Sequence, residues 1–186
     1  MKNRIFMIGP GGSGKSTVGK MLSEIIGYKC IDLDTEFCSR IINIREYIKS
    51  YGYDSYLEQN SDLLSKLLEE YPSCNVAFIL SSGFLSTDIR PDIVEKNKKL
   101  ISESGFSVLF MPSNNYQEAL ECILSRQLNR GFYLIREKEE EKFNQRFYEY
   151  LQLGDLKVFS MEEPELIAAK IANELTNKIL TLRAES

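Results

Sequence analysis

Residues 9–17 read GPGGSGKST. Gly9 and Gly14 bracket four residues, and Lys15 and Ser16 follow, which completes the pattern G-x-x-x-x-G-K-[ST]. Each type has a chemical reason. Glycines permit positive φ and let backbone N–H groups approach an anion with no Cβ in the way. A helix beginning after the loop adds the partial positive charge of its N-terminus. A lysine here reaches β- and γ-phosphates, and a serine hydroxyl suits Mg²⁺. The stretch predicts a nucleotide cradle made by Gly11, Gly12, Ser13, Gly14, Lys15, Ser16 and Thr17.

A second pair of chemically capable residues lies in IDLD, at Asp32 and Asp34. Two residues apart on an extended segment, they share a face. One can hold Mg²⁺ through water, and the next can reach an acceptor hydroxyl as base or orienting group. Other nucleotide machines are less well matched. No N-K-x-D guanine reader is present, and the apolar run NVAFIL closes in Ser81-Ser82-Gly83 rather than in an acid.

These groups need elements to hold them. Arg4 to Ile8 reads as a buried strand running into the loop, and Lys15 to Ile26 carries apolar residues at helical spacing up to a stop at Gly27. Lys29–Leu33, Asn75–Leu80, Ser107–Met111 and Leu156–Phe159 read as further strands. Helical patterns cover Asp62–Glu70, Asp92–Ser104, Tyr116–Leu128 and Pro164–Leu180. Alternating strands and helices predict an α/β fold with a five-stranded parallel sheet covered on both faces. Ligands in such a sheet bind at the C-terminal strand ends, where Gly9, Asp32, Ser81 and Pro112 fall. Between Leu128 and Phe143 the chain is strongly charged and lacks a strand; Gly131 beside Arg130 permits a mobile lid.

The chain has 186 residues, enough for one domain with a proper core. A net charge of −4 argues against a general nucleic-acid binder. The absence of histidine removes Ser-His-Asp and Cys-His catalysis. Cys30, Cys38, Cys74 and Cys122 form no CxxC pair and read as reduced thiols. No apolar run is long enough to span a membrane, and the first residues do not read as a signal peptide, so a cytoplasmic location is expected.

The stretch IFMIGPGGSGKSTVGKMLSEIIGYKCIDLDTEF resembles the start of a shikimate kinase, a small P-loop kinase of the nucleoside-monophosphate-kinase type. NIREYIKSYGYDSYLEQ is similar to the substrate-binding helices of that family, and NQRFYEYLQLGDLKV to its last segment. The resemblance implies a single three-layer α/β/α domain, with a substrate-binding insertion at about residues 35–61 and a lid at about residues 127–142. It also implies ATP as donor, Mg²⁺, a small hydroxylated acceptor and a monomer with no nucleic-acid or membrane partner. Carried over by position, Lys15 and Ser16 serve phosphates and metal, Asp32 serves the metal through water, and Asp34 contacts acceptor hydroxyls. Arg126 falls on the adenine side, Arg130 closes over the phosphates, Gly83 lies under the acceptor, and Arg146 grips its carboxylate.

Three departures bear on the acceptor. Leu57 stands where the family has a carboxylate-binding arginine, and Ser81 and Ser82 stand where it has glycines. The lid motif R-P-L of the family reads Arg130-Gly131-Phe132 here, and the family's proline after Arg146 is missing. Arg40 or Arg45, in the insertion, could restore the lost charge. The sequence therefore leaves three readings: shikimate as acceptor, another small hydroxylated acceptor such as a sugar acid, aminocyclitol or nucleoside, and an ATP-binding regulatory module without transfer.

Overall fold

The computed structural model describes residues 4–129 and 134–184, without the side chains of 179–184. In chain order the elements are β1 (Arg4–Ile8), α1 (Lys15–Ile26), β2 (Lys29–Asp32), α2 (Leu33–Arg40), α3 (Ile44–Glu70) and β3 (Val76–Ile79). Then come α4 (Pro91–Ser104), β4 (Phe106–Met111), α5 (Tyr116–Leu128), α6 (Arg136–Tyr150), β5 (Leu156–Phe159) and α7 (Pro164–Ala184). The strands form one sheet in the order β2-β3-β1-β4-β5, every pairing parallel.

Strand periodicity divides the core into two layers. Phe6, Ile8, Phe78, Leu80, Leu109 and Met111 face one way and pack with buried residues of α3, α4, α5 and α6. Their alternates Ile5, Met7, Ala77, Ile79, Val108 and Phe110 face α1 and α7. Each fully buried side chain of this size is worth roughly 1.5–3 kcal/mol of transfer free energy. The layers keep the five strands level, so all their C-terminal ends open at one rim.

Two boundaries differ from the sequence expectation in a way that matters. β2 stops at Asp32 rather than Leu33, because the Asp32 carboxylate caps α2: Oδ1 accepts from the N–H groups of Asp34 (3.1 Å) and Thr35 (3.2 Å). Asp34 is therefore in the first turn of a helix, not on an extended segment, and the alternation argument for a shared face with Asp32 does not apply. The other is α3, which starts at Ile44 and joins the helical stretch NIREYIKSYGYDSYLEQ to the pattern at Asp62–Glu70 in one element, with Asn43 accepting from the Arg45 N–H at 2.9 Å. Its apolar stripe is hidden in the sequence because Asn60 and Ser61 occupy core positions among Tyr56, Leu57, Leu64 and Leu67. At Gly52 the backbone leaves helical geometry (φ 85°, ψ 163°), so α3 is two helical pieces joined by a kink.

The charged stretch from Arg136 to Lys142 forms the first turns of α6, which runs on to Tyr150, with a Lys142–Glu139 ion pair at 2.7 Å. The four thiols are free; Cys38 and Cys74 are exposed. Among the described residues, no helix is long and apolar enough to cross a membrane.

Candidate active site

A cleft of about 650 Å³ opens at the C-terminal strand ends. The loop from β1 into α1 forms one wall. At Gly9 (φ 143°) an added Cβ would lie 2.3 Å from the carbonyl oxygen of Phe110. At Gly12 (φ 82°) it would lie 2.8 Å from Cγ of Gln127. No larger residue fits either place, so the loop stays low and its amides stay open to the cleft. Gly14 is the N-cap of α1, so the helix N-terminus faces the same space. Lys15 is buried, and its ammonium donates to the carbonyls of Gly9 (2.8 Å) and Pro10 (2.9 Å).

Helix α5 braces this loop from outside. Arg126 donates to the carbonyl of Ser13 at 2.9 Å, and Gln127 to that of Gly11 at 3.0 Å. Gln127 also lines the cleft and was not singled out in the sequence; only the fold brings it across a separation of 116 residues. Pro10, Gly11, Gly12, Gly14, Lys15 and Ser16 line the cleft, whereas Ser13, Thr17 and Arg126 do not. The Ser13 hydroxyl is buried without a hydrogen-bond partner among the described residues. Low glycines, a helix N-terminus and a buried lysine together fit a polyphosphate.

The next part of the cleft offers hard oxygen donors. Ser16 Oγ donates to Asp32 Oδ2 at 2.8 Å, so a hydroxyl and a carboxylate from different elements meet at one point. Mg²⁺ takes one or two protein oxygens and fills the rest of its octahedron with water and phosphate. Ser16 and Asp32 fit that ion as a pair. The described residues contain no group of three or more acidic or cysteine ligands that would make an all-protein cage.

Beyond them lies Asp34, which also lines the cleft. Ser81 Oγ donates to Asp34 Oδ1, and Asn60 Nδ2 donates to Ser81 Oγ at 3.0 Å. Asp34 remains open to water on its cleft side, yet the surrounding walls raise its pKa above the ordinary carboxylate value. Burial is the largest cause and the neighbouring Asp32 adds to it, while the bond from Ser81 and the charge of Lys15 pull the other way. A carboxylate so placed accepts a proton more readily than one in water.

The far end carries the acceptor-side candidates. Gly83 is buried, and a Cβ there would lie 2.2 Å from the Tyr53 hydroxyl. Arg146, half-buried on α6, reaches that hydroxyl at 3.5 Å. The Tyr150 hydroxyl donates to the carbonyl of Ser82. Tyr53 had no signal in the sequence as a site residue; its partner is 93 positions away. Leu57 is buried in the core, away from the cleft. Of the two arginines that could replace the missing charge, Arg40 is occupied by Glu36 (2.7 Å) and Glu70 (2.5 Å) outside the cleft, whereas Arg45 is part of the lining. Arg130 lies outside the described residues.

A family model described as "Shikimate kinase" matches residues 11–113. A shikimate kinase of Clostridium botulinum is 30% identical over 129 residues, which cover 68% of this chain and 66% of that protein. A pentafunctional AROM polypeptide of Zygosaccharomyces rouxii is 27% identical over 106 residues, 56% of this chain but 6% of the relative, so the chain spans a small part of that protein's length. Among solved structures, shikimate kinase from Acinetobacter baumannii in complex with shikimate has a TM-score of 0.71, covering 96% of this chain and 93% of that one. At 19% identity that likeness speaks for the fold alone.

Proposed function

The chain belongs to the shikimate kinase family, and from that premise we propose that it is an ATP-dependent kinase that phosphorylates a hydroxyl of a small acceptor, with shikimate as the leading substrate. The observation that carries this reading is the convergence of Lys15, Ser16, Asp32 and Asp34 on one cleft. A phosphate cradle alone would suit hydrolysis or mere binding; a proton-accepting carboxylate beside it suits transfer to a hydroxyl.

In this reading Lys15 and the loop amides hold the β- and γ-phosphates, and the α1 N-terminus favours their charge. Ser16 and Asp32 would hold Mg²⁺, which when bound neutralises phosphate charge. Asp34 orients the acceptor hydroxyl and takes its proton as the hydroxyl oxygen bonds to the γ-phosphorus. The bond from that phosphorus to the bridging oxygen breaks, and ADP leaves with the electron pair. The insertion at residues 35–61 and the end of β3 form the acceptor side, and a lid at residues 127–142, with Arg130, closes over the phosphates. Arg126 stands on the adenine side. All of these groups come from one chain, so the reading needs no second subunit, and its ATP demand suits the cytoplasm.

Arg146 is assigned to the acceptor's carboxylate, beside Gly83. A charge-assisted contact of that kind is worth about 1.5–3 kcal/mol. Arg146→Ala therefore raises KM for shikimate about ten- to a hundredfold and leaves KM for ATP near its original value. Steady-state kinetics with each substrate varied in turn check this, and a loss confined to ATP would remove the assignment.

The function itself is tested by coupled ADP release with MgATP, with and without shikimate. Strong stimulation is the expected result. Buried Leu57 favours a second reading, in which the pocket takes an acceptor lacking a carboxylate. Stimulation by a polyol or aminocyclitol but not by shikimate would select it, and release with no acceptor in any panel would leave neither.

A further inference from the structure

We propose that Ser81, oriented by Asn60, is a positioning residue for Asp34, occupying one carboxylate oxygen so that the acceptor's proton goes to the other. The inference rests on the reading of Asp34 as the acceptor-side base.

The three residues come from three elements: Asp34 from α2, Asn60 from α3 and Ser81 from the turn after β3. Asn60 is 1% exposed and Ser81 8%, so neither exchanges partners freely with water. Ser81 has a single hydroxyl proton and can send it one way. Asn60 Nδ2 donates into Ser81 Oγ at 3.0 Å and reaches the Tyr56 hydroxyl at 3.4 Å. With its acceptor side occupied, Ser81 directs its own proton at Asp34 Oδ1.

Turning the Asn60 amide over would break this order. A carbonyl and a carboxylate would then compete for one hydroxyl proton, and a buried NH₂ would have no partner on that side. In the observed orientation the unpaired atom is Asn60 Oδ1. A buried carbonyl short of a partner is tolerated more often than an orphaned N–H group. The direction of the chain, amide to hydroxyl to carboxylate, thus follows from local hydrogen-bond chemistry.

The consequence for Asp34 is geometric first. Asp34 stands in the first turn of an eight-residue helix suspended from its Asp32 cap. The bond from Ser81 ties that turn to the chain after β3 at Oδ1, and on this inference Oδ2 is the oxygen that meets an acceptor hydroxyl. The titratable groups acting on Asp34 are Lys15 from α1, Asp32 at the end of β2 and Tyr56 from α3. Burial keeps the Tyr56 phenol protonated, so it serves Asp34 only as a donor.

The experiment splits kcat from KM in the wild type, Ser81→Ala, Ser81→Thr, Ser81→Cys and Asn60→Leu, with thermal melting of each variant to check the fold. Ser81→Ala is expected to lower kcat about tenfold with KM for ATP unchanged, in line with one hydrogen bond to a charged group. Ser81→Thr, which keeps the hydroxyl, restores kcat, and Asn60→Leu lowers it to a smaller extent. Ser81→Cys, similar in size and a weaker donor, gives an intermediate kcat should the alanine variant fold poorly. A kcat unmoved in Ser81→Ala, or an equal loss in the alanine and threonine variants, overturns the positioning role while the kinase reading stands. Wild-type turnover in Asp34→Asn instead overturns the reading of Asp34, and with it this inference.

Discussion

Lys15→Ala loses phosphoryl transfer by at least about 10²–10³-fold, the scale of removing one aligned charge-stabilising group from a reacting centre. The fold survives. The lysine's hydrogen bonds include those to the carbonyls of Gly9 and Pro10. Each is worth about 0.5–1.5 kcal/mol net, and the total stability of a domain is about 5–15 kcal/mol. The need for glycine in the loop does not depend on the ammonium, since at Gly9 and Gly12 it is the Phe110 carbonyl and the Gln127 side chain that leave no room for a Cβ. Circular dichroism and thermal melting should therefore look nearly native while ADP release with acceptor collapses. Turnover retained in this variant would remove the phosphate-cradle assignment.

Asp34→Asn loses kcat by about 10²–10⁴-fold, the usual contribution of a positioned acid or base, with ATP binding close to wild type. An equal loss of ATP binding would instead indicate a metal role. The same variant gains stability at neutral pH. Burial raises the folded pKa of Asp34 above its ordinary 3.8, so the native chain holds this proton more tightly than the unfolded one. Wild-type stability consequently falls as pH rises from the ordinary carboxylate range to the raised value, and the cost is fully present above it. Asparagine has no proton to lose. The melting temperature of Asp34→Asn should exceed that of the wild type at pH 7, and the gap should close as pH falls through that window. In the wild type, kcat should drop on the same acid limb as Asp34 becomes protonated.

The half of the candidate site that we assign to phosphate is legible in the sequence because its parts are adjacent. A strand, a glycine loop and a helix follow one another within residues 4–26, and each leaves a local signal in spacing or residue type. The strands are legible for the same reason, since NVAFIL and SVLFM are buried on both faces and read as continuous apolar runs. The acceptor half is not local. Arg146 meets Tyr53, and Ser81 meets both Asp34 and Asn60, only because α3, α6 and the end of β3 converge. Asn60 also hides the helix that carries it: a polar residue at a core position interrupts the apolar period from which a helix is read. The alternation argument for Asp34 fails on geometry, because a carboxylate that ends a strand, here Asp32, can equally cap the helix that follows.

The kink at Gly52 divides α3 into an outer arm on the cleft wall and an inner piece in the core. An added Cβ there would meet nothing within 4 Å, so it is the φ of 85°, which glycine adopts at little cost, that calls for glycine at the joint. The eight residues from Ile44 to Tyr51 form an arm about 12 Å long at 1.5 Å per residue, and a turn of about 10° about the joint displaces the tip by about 2 Å. Ile44, Arg45 and Ile48 on that arm line the cleft, and Ile44, Tyr47 and Ile48 also pack on the core cluster that holds Tyr56 and Leu57. The backbone angles at Gly52 therefore set where one stretch of the cleft wall stands, and the core fixes them through the side chains on both sides of the joint.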